Sequence, residues 1–182
     1  RLKRIIKNTN GQAEIFVYYA GHGLPAENKE PYLIPVDVTG ANVTTGVKLE
    51  DLYNALTEFP SKRVTVILDA CFSGGARGEP LLAMRGVKIT PNQQRIKGNL
   101  IVFAASSGDQ PSLPLKAQQH GMFTYYFLKK LQQSQAILTY SEMANYLRDE
   151  VSLQSVLINN KEQNPQVLFS QDVESQWMNW RF

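Results

Sequence analysis

The chain has 182 residues, with one cysteine and two histidines. A single cysteine excludes an internal disulfide, and it excludes zinc sites built on several thiolates at short spacing. The compartment expected from this is reducing and cytoplasmic. Charge is also sparse: Asp, Glu, Lys and Arg make up 19 % of the chain, with a net charge of +3. The basic residues are spread out, whereas a nucleic-acid footprint needs them clustered, so no nucleic-acid partner is expected. No apolar run approaches the ~18–20 residues of a membrane span, and no secretory signal is visible. There is no internal repeat. What remains is 43 % hydrophobic residues, enough for one globular domain with a real core.

The apolar residues fall into short blocks. Residues 1–8 carry Leu2, Ile5 and Ile6 at helical spacing and read as the end of a helix, stopped by Thr9-Asn10-Gly11. Ala13–Ala20 (AEIFVYYA) is β-branched and aromatic, the pattern of a strand buried on both faces of a parallel sheet. Tyr32–Val36 is a short strand or hairpin arm. Leu49, Leu52, Leu56 and Phe59 share one face of a helix closed by Pro60. Arg63–Ala70 and Leu100–Ala105 are further strands. Gly121–Gln133 and Ser141–Leu153 read as helices, with Ser141 as the N-cap of the second, and Gln166–Ser170 as a last strand. Strands alternating with helices predict an α/β sheet with helices on both faces. Residues 73–99 are rich in glycine, proline and basic residues. They read either as a solvated loop or as a long active-site loop that shapes substrate and is itself cut.

Two of the strands end in the same abrupt way. YYA runs into Gly21-His22-Gly23, and ILDA runs into Cys71 with Gly74-Gly75 behind it. In parallel α/β sheets ligands bind beyond the carboxyl ends of the strands. If the two strands are parallel neighbours, His22 and Cys71 emerge at one sheet edge, and a thiolate nucleophile with an imidazole in reach is the simplest chemistry. A buried cysteine acting only as a small hydrophobe is the other reading of Cys71.

YAGHG around His22, YLIPVD at 32–37 and DACFSGG at 69–75 resemble the motifs of the caspase-type cysteine peptidases, closest to prokaryotic caspase-like and metacaspase-like (orthocaspase) members. Cys71 lies 49 positions after His22, in keeping with the roughly 50 that separate the pair in caspases. HGMFTYYFLKKL at 120–131 is similar to a helix of the bacterial relatives. The resemblance implies a three-layer α/β/α sandwich with a mainly parallel central sheet, spanning residues 1–182, with 171–182 as a C-terminal extension. In the family a strand and a helix precede the histidine-bearing strand. The expectation is that this N-terminal unit is missing here and that an N-terminal fragment or second chain completes the sheet.

The resemblance also implies roles. Cys71 attacks the scissile carbonyl to form a thioester, and His22 protonates the leaving amine. The backbone N–H groups of Gly23 and Cys71 form the oxyanion hole. Asp69 stands where caspases have glutamine and metacaspases have aspartate, which implies cleavage after Arg or Lys, because a carboxylate holds a guanidinium by two parallel hydrogen bonds. Asp109 resembles a second acidic pocket residue. Both have plainer readings, Asp69 as a turn cap and Asp109 as an Asx-turn residue. Self-cleavage is expected after Arg77, Arg85, Arg95 or Lys97. No cofactor is required; Asp37, with Glu27 and Glu30 nearby, is the one calcium candidate. His120 reads as a turn residue ahead of a helix, and Phe123, Tyr125, Tyr126 and Phe127 read as packing. Trp177 and Trp180 fold back or dock elsewhere. The alternative function is a catalytically silent caspase-like module that binds peptide or a partner protein.

Overall fold

The computed structural model describes residues 2–38, 40–72, 96–107 and 110–182. Helix α1 (Leu2–Asn8) leads into strand β1 (Glu14–Ala20), followed by two short strands, β2 (His22–Pro25) and β3 (Pro31–Ile34). After β4 (Val47–Lys48) come helix α2 (Leu49–Thr57) and strands β5 (Arg63–Asp69) and β6 (Leu100–Ala104). Two-residue strands β7 (Pro114–Leu115) and β8 (His120–Gly121) precede helices α3 (Met122–Gln133) and α4 (Tyr140–Asn159), and β9 (Gln166–Phe169) ends the sheet.

The central sheet has the order β1-β5-β6-β9. Its first two pairings are parallel and the last is antiparallel. Strand alternation separates two cores. Val64, Val66 and Leu68 face Leu49, Tyr53 and Leu56 of α2 on one side. Ile67, Ile101 and Phe103 face Phe123, Phe127, Met143 and Leu147 of α3 and α4 on the other. Leu56, Val64, Val66, Ile101 and Phe103 are each 0 % exposed, and burying a side chain of this size contributes about 1.5–3 kcal/mol. The α/β/α sandwich expected from the alternating blocks is the fold observed.

Several local expectations need correction. Strand β1 is not buried on both faces. It is an edge strand whose residues alternate between exposed and half-buried, with Phe16 and Tyr18 about half exposed. Its apolar run is real; among the described residues it has a strand neighbour on one side only, a fact carried by tertiary order rather than composition. The N-cap of α4 is Thr139, not Ser141. Its hydroxyl accepts from the Glu142 N–H at 3.2 Å, while the Glu142 carboxylate accepts from the Thr139 N–H at 2.6 Å, a capping box. That helix also runs past Leu153 to Asn159. His120 lies in β8, exposed, just before α3.

The C-terminal stretch folds back on the domain. Trp177 stacks on Phe169, Phe182 stacks on Tyr140 with ring centroids 4.3 Å apart, and the Tyr140 N–H donates to the Trp180 carbonyl at 2.8 Å. Phe123, Tyr126 and Phe127 belong to the core, with Tyr125 packed against it. Among the described residues, no helix is long and apolar enough to cross a membrane.

Candidate functional site

Strands β1 and β5 are paired in parallel from Glu14↔Arg63 to Ala20↔Asp69. The ladder continues one step further, where the Gly21 N–H donates to the Asp69 carbonyl at 3.2 Å. His22 and Cys71 therefore each lie two residues beyond the same paired position, at the carboxyl end of the sheet. The chain then leaves the sheet on the His22 side through an antiparallel hairpin, β2 against β3, with Gly23 opposite Leu33.

Gly23 packs directly against the cysteine-bearing segment. A Cβ placed on it would lie 2.9 Å from the Cys71 carbonyl oxygen and 2.5 Å from the Phe72 ring. A side chain at this position cannot be accommodated without displacing backbone, so glycine is what lets the two segments meet. Cys71 forms no disulfide and is buried, 3 % exposed; His22 is half-buried. Ala70 and Phe72, on either side of Cys71, belong to the α2-side core.

Asp69 is 0 % exposed. One carboxylate oxygen accepts from the Ser112 hydroxyl. The other accepts from the Thr124 hydroxyl at 2.5 Å and from the Thr124 backbone N–H at 3.3 Å. Thr124 is in the first turn of α3, whose own N-cap, Gly121, has no capping side chain. Asp69 thus caps a helix 55 residues away. A buried carboxylate placed at orphan helix N–H groups is favourably solvated by them.

The residue after Ser112 is held in turn by a buried glutamine. Gln163, 0 % exposed, accepts from the Leu113 N–H at 2.8 Å and donates to the Ala105 carbonyl at 3.0 Å. Ser112, Thr124 and Gln163 were not singled out from the sequence. The available signal was Thr124, the one small polar side chain among the large apolar and aromatic residues of MFTYYF; a buried hydroxyl needs a partner.

Asp37 is exposed in the turn after β3. Glu30 is committed elsewhere, paired with Lys48 at 2.5 Å, and Glu27 is exposed. Among the described residues no group of three or more His, Cys, Asp or Glu side chains is placed to hold a metal ion. Lys97 is exposed ahead of β6. Asp109, Arg77, Arg85 and Arg95 lie outside the described residues.

Residues 2–174 match the sequence profile of the caspase domain family of peptidases (peptidase C14). Among solved structures the fold is similar to that of caspase-1 from Spodoptera frugiperda, with a TM-score of 0.55 and 14 % identity over 92 % of this chain and 66 % of that one. The chain spans somewhat less than two thirds of that structure's length, and identity this low speaks for the fold alone. No curated protein sequence matches the chain.

Proposed function

The chain belongs to the caspase domain family, and from that premise we propose that it is a cysteine endopeptidase that cleaves peptide bonds after Arg or Lys. The observation that carries the reading is the parallel register of β1 and β5, which brings the ends of two strands together and sets His22 and Cys71 equally far beyond them. In the proposed reaction the Cys71 thiolate attacks the scissile carbonyl, the carbonyl π electrons move to oxygen, and collapse of the tetrahedral intermediate expels the amine. His22 gives that amine its proton, and water then hydrolyses the thioester. The N–H groups of Gly23 and Cys71 are the proposed oxyanion donors; losing one such donor costs on the order of 3 kcal/mol of transition-state stabilisation.

Asp69 is the proposed source of the basic preference. It is a carboxylate two residues before the nucleophile, and Ser112 and Thr124 are among its hydrogen-bond donors. Asp109 is proposed as a second acid. Arg77, Arg85, Arg95 and Lys97 are the proposed self-cleavage points. The reaction as written needs no cofactor; calcium through Asp37 is a separate proposal, discarded if a chelator leaves activity unchanged. The half-exposed edge strand β1 is where an N-terminal fragment or second chain is proposed to complete the sheet.

The burial of Cys71 favours one alternative, a silent module that binds peptide or a partner. A peptidyl-Arg electrophile separates the two: covalent labelling of the full chain that disappears in Cys71→Ala supports catalysis, and no labelling supports the silent module. Fragment masses provide the second test, since new termini after the named basic residues in wild type but not in Cys71→Ala demonstrate self-processing.

A further inference from the structure

Resting on the basic-preference reading above, we propose that Thr124 and Ser112, with Tyr18 behind Thr124, are positioning residues that fix the plane of the Asp69 carboxylate for a substrate cation. The direction of the hydrogen bonds carries the inference. The Thr124 hydroxyl has one proton, and at 2.5 Å it goes to the Asp69 carboxylate. The 2.9 Å contact between the Tyr18 and Thr124 hydroxyls then has Tyr18 as the donor. A chain of donors therefore runs from Tyr18 on β1 through Thr124 on α3 to Asp69 on β5, each link polarising the next.

The orientation matters because the terminal torsion of aspartate is broad and nearly two-fold. A free carboxylate would sample many planes, whereas fork-to-fork recognition of a guanidinium requires one. Here one oxygen is held by Ser112 and the other by Thr124, so rotation breaks bonds on both sides. Both anchors are themselves fixed: Ser112 by the loop tied to Gln163, and Thr124 by its place in the first turn of α3. Ser112 and Thr124 are 1 % and 7 % exposed, so water does not replace either donor cheaply.

The test compares reporters carrying Arg or citrulline, its neutral isostere, at the cleaved position, using the full chain. Thr124→Val is expected to lower the Arg-to-citrulline ratio of kcat/KM about tenfold, chiefly through KM on the Arg reporter, with Thr124→Ser recovering it to within about threefold. Tyr18→Phe, a half-exposed position that loses one oxygen, is expected to lower the ratio about threefold. Equal losses on both reporters in Thr124→Val, without rescue by serine, mark a purely structural role and overturn the inference. If Thr124→Val does not fold, Tyr18→Phe decides alone: an unchanged ratio overturns the inference. A wild-type chain that cleaves the citrulline reporter as fast as the Arg reporter overturns the basic-preference reading, and this inference with it. A strong wild-type preference that both variants leave intact overturns the inference only.

Discussion

The Tyr19 hydroxyl lies 2.7 Å from the carbonyl oxygen of His22 and 3.0 Å from that of Ile34. These two residues face each other across the β2–β3 hairpin, so one phenol at the end of β1 fastens both arms of the hairpin that begins with His22. The fit is close: a Cβ at Gly21 would lie 2.7 Å from that same hydroxyl oxygen.

The first prediction follows. Tyr19→Phe keeps the ring and removes the donor. Two carbonyls lose their tie, at a cost of about 1 kcal/mol in stability. If the proposed role of His22 holds, a hairpin free to shift lowers kcat by about tenfold, since misplacing a catalytic group by a fraction of an ångström is costly. Thermal unfolding and single-turnover cleavage measure the two effects separately. A variant that loses stability but keeps kcat removes Tyr19 from any role in placing His22.

Gly23→Ala provides a second prediction. The added methyl meets the Cys71 carbonyl and the Phe72 ring, and the carbonyl is backbone that cannot swing aside. Relief requires the two segments to move apart, which separates the proposed oxyanion donors. Cleavage is expected to fall by at least about a hundredfold, the scale of losing one such donor. Because strands β1 and β5 remain paired upstream, the circular dichroism spectrum should be retained. Activity within a few-fold of wild type would show that the Gly23 N–H is not an oxyanion donor.

The legible part of this fold lies in its blocks. β1, β5, β6 and β9, and helices α2, α3 and α4, lie where apolar runs and periodicities place them, because burial on a helix face or a strand imposes a period that composition displays. The His22 and Cys71 segments were legible for a related reason: each is an apolar run broken by glycine. What composition could not display is order in space. AEIFVYYA reads as doubly buried because its residues suit a core, yet β1 is at the sheet edge, and nothing local records a missing neighbour. The same holds for Asp69, whose partners Ser112 and Thr124 are 43 and 55 residues downstream. The misplaced cap of α4 differs in kind: Thr139-Tyr140-Ser141-Glu142 contains the capping-box spacing from threonine to glutamate, and the pattern itself was the better guide than the first serine before the apolar face.

Tyr53 carries a third prediction. It is 5 % exposed on α2, inside the α2-side core, and its hydroxyl meets no hydrogen-bond partner among the described residues. A buried, unsatisfied hydroxyl costs roughly 1–3 kcal/mol. Tyr53→Phe removes the oxygen and keeps the ring, so it is expected to raise stability by about 1 kcal/mol, read as a higher denaturation midpoint with an unchanged slope. A loss of stability would mean that the hydroxyl has a partner in solution.

The same phenol underlies the last prediction, which concerns alkali. Burial pushes the Tyr53 phenol well above its ordinary value of 10.0. Tyr140 is raised by burial, partly offset by its hydrogen bond with Thr65, and Tyr146 is raised to about 12, first by burial and then by the Glu150 charge. These groups ionise more readily in the unfolded chain than in the folded one. Their contribution is therefore complete below pH ~10, the unfolded value, and is lost as pH climbs toward the folded values. Lys48, raised by its bonds to Glu30 and Glu50, adds a loss of the same sign. The melting temperature should accordingly be level with respect to these groups from pH 7 to ~9 and fall between pH ~10 and ~12. Tyr53→Phe isolates one contributor, because it removes a phenol and leaves Lys48 in place. Its melting temperature should fall less than that of wild type over the same interval, and a parallel fall in the two proteins would show that the Tyr53 phenol is not protected from ionisation in the folded state.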